Sequence, residues 1–211
     1  MKEKLLELLA CPSCGGDILL VHVGVREQKE IIEGVLSCKK CEREYKVVRG
    51  VPRFAALDKI EQDKADTAEN FGWQWTHFTQ DDPKYAEQLL GWLQPVKKDF
   101  FNGKIVLEGG CGKGRHTTLA ADWGAKEVVG IDLSAAVETA FQATKNLPNA
   151  HILQADIFKL PLKKPLTMRL ASACFITRPP QKKRFFRWLQ KLKKRARFSL
   201  DLWRGEQRMD Y

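Results

Sequence analysis

Within its first 41 residues the chain carries two Cys-x-x-Cys pairs, Cys11/Cys14 and Cys38/Cys41, separated by 23 residues. Each pair sets two thiols on one tight turn, and two such turns brought together complete the four-sulfur tetrahedron that Zn²⁺ prefers. A closed four-sulfur shell leaves no position for water, so the metal is expected to be structural; the alternative is a ribbon that has lost its metal. Around the pairs, "KEKLLELL" reads as a short helix. "GGDILLV" and "EGVLSC" to "EYKVVRGVPRF" alternate apolar and polar residues between turns, the pattern of short strands. A β-rich unit of residues 1–56 has too little core to fold comfortably alone, and a structural metal supplies what burial cannot.

The other two of the six cysteines, Cys111 and Cys174, have no partner motif and read as small packing residues. No stretch approaches the roughly 18 to 20 uninterrupted apolar residues of a membrane helix, and the N-terminal apolar run is broken by Glu7. Metal-binding cysteines without a leader point to the cytoplasm.

Residues 57–100 are polar and helical, a linker with capping helices, the last of them in "DDPKYAEQLLGWLQPV", opened near Pro83 and closed by Pro95. Beyond them the period changes. "KIVLEGGCGKG" is an apolar strand running into a glycine turn, followed by helix "RHTTLAADWG", strand "KEVVGIDLS", helix "AAVETAFQATKNLP" and strand "AHILQADIF". Strand and helix alternate as in a parallel sheet. The expected fold is α/β: a truncated Rossmann-like doubly wound parallel sheet preceded by a small β-rich zinc ribbon.

The turn places Gly110, Gly112 and Gly114 after the first strand of that sheet, where the backbone must turn sharply and let a ligand approach. A dinucleotide turn reads Gly-x-Gly-x-x-Gly; this one reads Gly-x-Gly-x-Gly behind an acid, Glu108, which counts against NAD. Asp132 ends the next strand about 20 residues on, where a carboxylate can accept hydrogen bonds from a ribose diol, and Asp156 ends the third, within reach of an adenine amino group. Together they describe one adenosine-shaped site.

This ordered set resembles the class I S-adenosylmethionine-dependent methyltransferases of the type 11 kind over roughly residues 67–162. The resemblance implies that Glu108 faces the methionine amino group, that Gly110, Gly112 and Gly114 line the cofactor, that Asp132 holds the ribose, and that Asp156 with Ile157 holds the adenine. "ENFGWQWTHF", residues 69–78, resembles a segment that covers the cofactor in one branch of these enzymes. Trp73 and Trp75 read as packing rather than stacking residues, and His116 as equally a solvent-facing or a functional one. "LLELLACPSCGGDILL" with "GVLSCKKCEREYKVVRGVPRF" resembles the small zinc-ribbon activators of tRNA and protein methyltransferases, which implies a docking or stabilising role fused ahead of the enzyme. The expected units are a ribbon at 1–56, linker and caps at 57–100, and a methyltransferase domain at 101–211, family-like to about 162 and aberrant beyond.

The net charge of +10 sits at the far end: residues 163–211 hold 15 Lys/Arg against three Asp/Glu, leaving 21 against 23 before them. That tail invites a nucleic-acid reading through phosphate contacts. It also falls where a methyltransferase shows its fourth strand and substrate motif, and "MRLASACFITRPP" does not read as either. Phe175, Ile176, Thr177, Arg178 and Pro179 can be encoded so that the neighbouring frame spells Leu-His-His-Thr-Pro, the motif of the resembled branch. Residues from about Lys163 onward therefore read as out of frame, and activity is in doubt. Three functions follow in order: a methyltransferase, read from its tail as a damaged copy, with acceptor unknown and no catalytic residue to nominate; a zinc-ribbon adaptor docking on a partner enzyme; and an RNA-binding protein using the basic tail.

Overall fold

The computed structural model describes residues 1–55 and 84–163 and the backbone of two further strands, Met168–Ala171 and Asp201–Leu202. Trp73, Trp75, Cys174, the 69–78 segment and nearly all of the basic tail lie outside the described residues.

The chain opens on a 3₁₀ turn, Glu3–Glu7, shorter than the helix its periodicity predicts. Leu9 and Ala10 already form bridges, to Leu162 and Asp17, so the segment has room for little more than a turn before it must become extended. Four antiparallel strands follow in chain order: β1 (Ile18–Glu27), β2 (Glu30–Cys38), β3 (Glu44–Val48) and β4 (Val51–Pro52). In β3 the alternation seen in the sequence turns Tyr45 and Val47 inward. Arg49 and Gly50 make the two-residue β3–β4 turn with φ of 51° and 80°, the doubly positive backbone that matches hairpin twist.

After helix α1 (Lys84–Leu93), which ends just before Pro95, comes a parallel sheet of β5 (Ile105–Gly109), β6 (Glu127–Asp132), β7 (Ala150–Gln154), β8 (Met168–Ala171) and β9 (Asp201–Leu202). Helix α2 (Arg115–Asp122) links β5 to β6, and α3 (Val137–Thr144) links β6 to β7. The order β7-β6-β5-β8-β9 reverses between β5 and β8, and such a reversal is where open α/β sheets bind ligands. Strand β8 begins within the stretch that does not read as a family fourth strand, yet pairs with β5 from Val106↔Met168 to Gly109↔Ala171.

Strands β5 to β7 are buried almost throughout, as parallel strands covered on both faces are. On one side Val106, Val128 and Ala150 pack with α1 and α2 through Leu89, Leu93 and Ala120. On the other, Leu107, Val129, Ile131 and Leu153 join a single cluster with Leu5, Leu9, Ile18, Ile31 and Leu36 of the ribbon. The ribbon thus supplies a layer that a doubly wound sheet ordinarily takes from helices. It also covers the sheet's edge: Arg53 bridges Gln154 in parallel, and the Phe54 and Ala55 N–H groups donate to the Gln154 carbonyl at 2.8 and 3.2 Å. A second seam joins Ala10 N–H to Pro161 O and Lys163 N–H to Leu8 O. Pairing an edge strand in this way removes an open template for aggregation.

Candidate functional site

Two hydrogen-bonded turns of the same form carry the four ribbon cysteines. In the first, Gly15 N–H donates to Cys11 O and Cys11 N–H to Gly16 O; in the second, Glu42 N–H donates to Cys38 O and Cys38 N–H to Arg43 O. Gly15 and Glu42 occupy equivalent places with φ of 72° and 57°. The two turns bring all four sulfurs within 4.8 Å of one another, with Cys11 to Cys41 at 3.7 Å and Cys14 to Cys38 at 3.4 Å. Four ligands at the Zn–S distance of about 2.3 Å stand about 3.8 Å apart at the corners of a tetrahedron, so the donor set fits zinc. Burial raises the Cys11 thiol, but the Tyr45 hydroxyl at 3.1 Å and backbone N–H groups of the turn outweigh it and bring it down to about 6. Cys14 is favoured as thiolate by the Gly16 N–H, yet burial and the other three sulfurs push it up to about 12. Sulfurs crowded so that they cannot all ionise unaided make a site that a divalent cation relieves.

The second site lies at the carboxyl end of the parallel sheet. Gly110, Gly112 and Gly114 have φ of 75°, 51° and 84°, and a Cβ at Gly114 would stand 3.0 Å from that of Ala140. The turn wraps the end of β5, with Gly110 and Cys111 N–H groups donating to Ile131 O at 2.7 and 3.0 Å. Glu108 is 1% exposed; its Oε2 accepts from Thr117 Oγ1 at 2.5 Å and its Oε1 lies 3.1 Å from His116 Nδ1. Asp132 accepts from Gly112 N–H at 2.9 Å through Oδ2, and from Ser134 N–H and Oγ at 2.8 Å through Oδ1. Asp156 accepts from Phe158 N–H at 2.9 Å, beside the buried Ile157. Glu108, Gly110 and Gly112 line one open cleft with Cys111, Lys113, Arg115 and His116; Gly114, Asp132, Asp156 and Ile157 are not among its lining. Cys111 is held well above the usual thiol range by burial and then by Asp132 and Glu108, so it stays a neutral packing group.

Helix α1 leans on this turn. The Arg115 guanidinium lies 3.2 Å from the Tyr85 ring centre, and the Trp92 ring meets His116 edge-on at 6.0 Å. The sequence left His116 open; the structure sets it on the cleft wall against Glu108.

Sequence reasoning missed a buried polar group at the ribbon seam. His151 Nε2 lies 2.8 Å from Glu127 Oε2, and the ribbon's Lys4 pairs with the same carboxylate. It also missed Glu138 of α3, which receives Arg49 at 2.6 Å and Arg53 at 3.1 Å. No local pattern marks these residues, because each is polar only toward a partner at least 24 positions away.

Residues 106–195 match the family model described as a methyltransferase domain, and residues 2–50 the one described as Trm112p-like protein. The chain is 51% identical over 43 residues to protein arginine N-methyltransferase 1 of Saccharomyces cerevisiae, covering 20% of this chain and 12% of that protein. It is 34% identical over 100 residues to a tRNA U34 carboxymethyltransferase of Shewanella sediminis, covering 46% and 26%. The chain thus spans about a quarter or less of the length of these curated relatives. Among solved structures, magnesium protoporphyrin IX methyltransferase of Synechocystis PCC 6803 with bound SAH superposes with TM-score 0.51 at 19% identity, over 64% of this chain and 67% of that one, a likeness of fold. Among the described residues no helix is long and apolar enough to cross a membrane.

Proposed function

We propose that this chain, which carries a methyltransferase domain behind a Trm112p-like zinc ribbon, binds S-adenosylmethionine at the carboxyl ends of β5, β6 and β7 and transfers its methyl group to an acceptor. The observation that carries the reading is a buried carboxylate, Glu108, beneath a glycine turn at the sheet's reversal point, with Asp132 on the next strand bonded to that turn. When bound, the cofactor supplies an electrophilic methyl on sulfonium, and displacement at carbon is accelerated largely by positioning.

In this reading Glu108 receives the methionine ammonium, with acceptor positions to spare beyond Thr117 and His116. Gly110, Gly112 and Gly114 shape the turn against the cofactor, Asp132 receives the ribose hydroxyls, and Asp156 with Ile157 bounds the adenine. No general base is assigned. Cys11, Cys14, Cys38 and Cys41 hold one structural zinc, and the units are 1–56, 57–100 and 101–211. The ribbon acts within its own chain: its β4 side already pairs with β7, which leaves the separate-adaptor reading without that face.

Titration calorimetry of the zinc-loaded chain with S-adenosylhomocysteine tests this. Binding is expected, and Asp132→Ala should weaken it about tenfold, the worth of a charge-assisted hydrogen bond; a wild-type chain that does not bind overturns the reading. The 15 Lys/Arg of residues 163–211 and the match to tRNA-modifying relatives favour RNA as a second reading, for the acceptor or a partner. It predicts salt-sensitive RNA binding that disappears with that tail. The out-of-frame reading of the same tail is decided by the gene: the codons of residues 175–178 must yield His-His in the neighbouring frame.

A further inference from the structure

We propose that Arg115 is the carboxylate receptor of the cleft, taking the α-carboxylate of the cofactor's methionine moiety, and that Tyr85 is the positioning residue that aims it. The assignment rests on the cofactor reading above and goes beyond it by naming the site's cationic half. Arg115 opens α2 and lines the same cleft as Glu108. Its guanidinium lies face-on to Tyr85, with the carbon 3.2 Å from the ring centre. Its Nε is buried with no hydrogen-bond partner, and among the described residues the side chain has no ion pair.

A buried donor left unmade costs about 1–3 kcal/mol, so a cation kept in that state at the wall of a cleft points to an acceptor brought by a ligand. Stacking occupies only the face of the guanidinium. Its N–H groups lie in the plane, where they form the fork that matches a carboxylate in bidentate fashion. The residues around it select the ligand's chemistry. Glu108 supplies a buried carboxylate to the same cleft, whose lining also holds the cations Arg115 and Lys113, so the cleft presents an acid and a basic side to one ligand. That arrangement is complementary to a zwitterionic α-amino acid head, whose ammonium and carboxylate need opposite partners. A phosphate would meet the Glu108 charge as a repulsion and is disfavoured by it. Because Tyr85 belongs to α1, the same contact ties that helix to the state of the cleft.

The test measures three ligands by calorimetry on the zinc-loaded full chain: S-adenosylhomocysteine, its decarboxylated analogue, which keeps the amine, and 5′-methylthioadenosine, which lacks the whole amino acid head. Wild type should favour S-adenosylhomocysteine over the decarboxylated analogue by about 10- to 100-fold, the range of a charge-assisted hydrogen bond. Arg115→Ala should abolish that preference while leaving methylthioadenosine within about twofold, and unchanged methylthioadenosine binding also certifies that the variant is folded. Arg115→Lys should restore part of the preference, keeping the charge without the fork. Tyr85→Ala should lower the preference and Tyr85→Phe, which keeps the ring, should not. Equal weakening of all three ligands by Arg115→Ala would make Arg115 merely structural and overturn the proposal, as would an unchanged preference. Inorganic phosphate competing in wild type but not in Arg115→Ala, with the preference intact, would assign the arginine to an acceptor phosphate instead. A wild type that binds none of the three fails the cofactor reading itself; one that binds all three without preference fails this inference alone.

Discussion

Gly50→Ala should loosen the ribbon from the parallel sheet, and the structure sets the size of the effect. Gly50 turns the β3–β4 hairpin at φ 80° and lies against the ring of Phe141 on α3. A Cβ built there would stand 2.2, 2.5 and 2.7 Å from the ring's Cζ, Cε1 and Cε2. Carbon contacts settle near 3.5–4.0 Å, so the ring would have to retreat by about 1 Å or more. It has little room to do so, being 6% exposed and packed in one cluster with Val51, Val137, Ala140 and Ile152. Two costs add: about 1–2 kcal/mol for a side chain in left-handed backbone and about 1–3 kcal/mol for overpacking a filled core. For a chain of this length 1 kcal/mol moves the melting temperature by about 2–4 °C, which places the loss at roughly 4–20 °C.

Calorimetric melting at fixed zinc measures it, and a double-mutant cycle identifies the cause. Phe141→Leu deletes all three of the ring atoms that the new Cβ would strike. In that background Gly50→Ala should cost less by about 1 kcal/mol or more, the backbone strain alone remaining. A melting temperature unchanged by Gly50→Ala, or a cost that Phe141→Leu leaves untouched, would refute the claim that this glycine packs the ribbon closely against α3.

Three further outcomes are expected. Cys38→Ser should abolish stoichiometric zinc, measured by metal release to a chromogenic chelator. It should also lower the melting of the whole chain in one transition, because the ribbon core and one face of the parallel sheet share a single cluster; a second, unshifted transition would contradict that. Glu42→Gly should stabilise the zinc-loaded chain by about 0.5–1 kcal/mol in denaturant titration, since Glu42 sits at φ 57° where the twin turn has Gly15. Stability should also fall on acidification. Burial holds His151 below its ordinary 6.5 despite Glu127; burial opposes the lowering of Glu127 from 4.5, but His151 and Lys4 prevail. Both groups bind fewer protons folded than unfolded, so stability is full above about pH 6.5, declines as pH falls through the histidine range, and declines again below about 4.5. His151→Gln should flatten the first decline in melting temperature against pH, and an identical slope in the variant would show that His151 does not cause it.

The parts of the fold that sequence discloses are those whose chemistry is local. Two Cys-x-x-Cys turns are legible because the thiols and the backbone bonds that shape each turn lie within six residues, and the same holds for the glycine turn between β5 and α2. Glu108 was legible by position beside that turn, but not its partners. Thr117 and His116 are ordinary helix residues until α2 is laid across the end of β5. Arg115 reads as one more surface cation, and its meaning depends on Tyr85, 30 positions earlier in a helix whose apolar stripe says nothing about that ring.

What sequence could not disclose is the use of the ribbon as a layer of the second sheet, and the reason is physical. Leu107, Val129, Ile131 and Leu153 announce that a second face of the parallel sheet is covered, while Leu5, Leu9 and Leu36 announce that the small module has a buried face. Neither set says that each covers the other, because burial is non-directional and any apolar layer would do. Register is fixed instead by the polar contacts: Arg53 on Gln154 and Glu138, and Lys4 on Glu127. Those pairs are directional and lose much of their value if the layers slide. A metal-bound module too small for a sufficient core and a parallel sheet with a bare face and edge thus each complete the other, and the dependence runs both ways. Loss of zinc should therefore be felt at the glycine turn, which stands on the same strands that the ribbon covers.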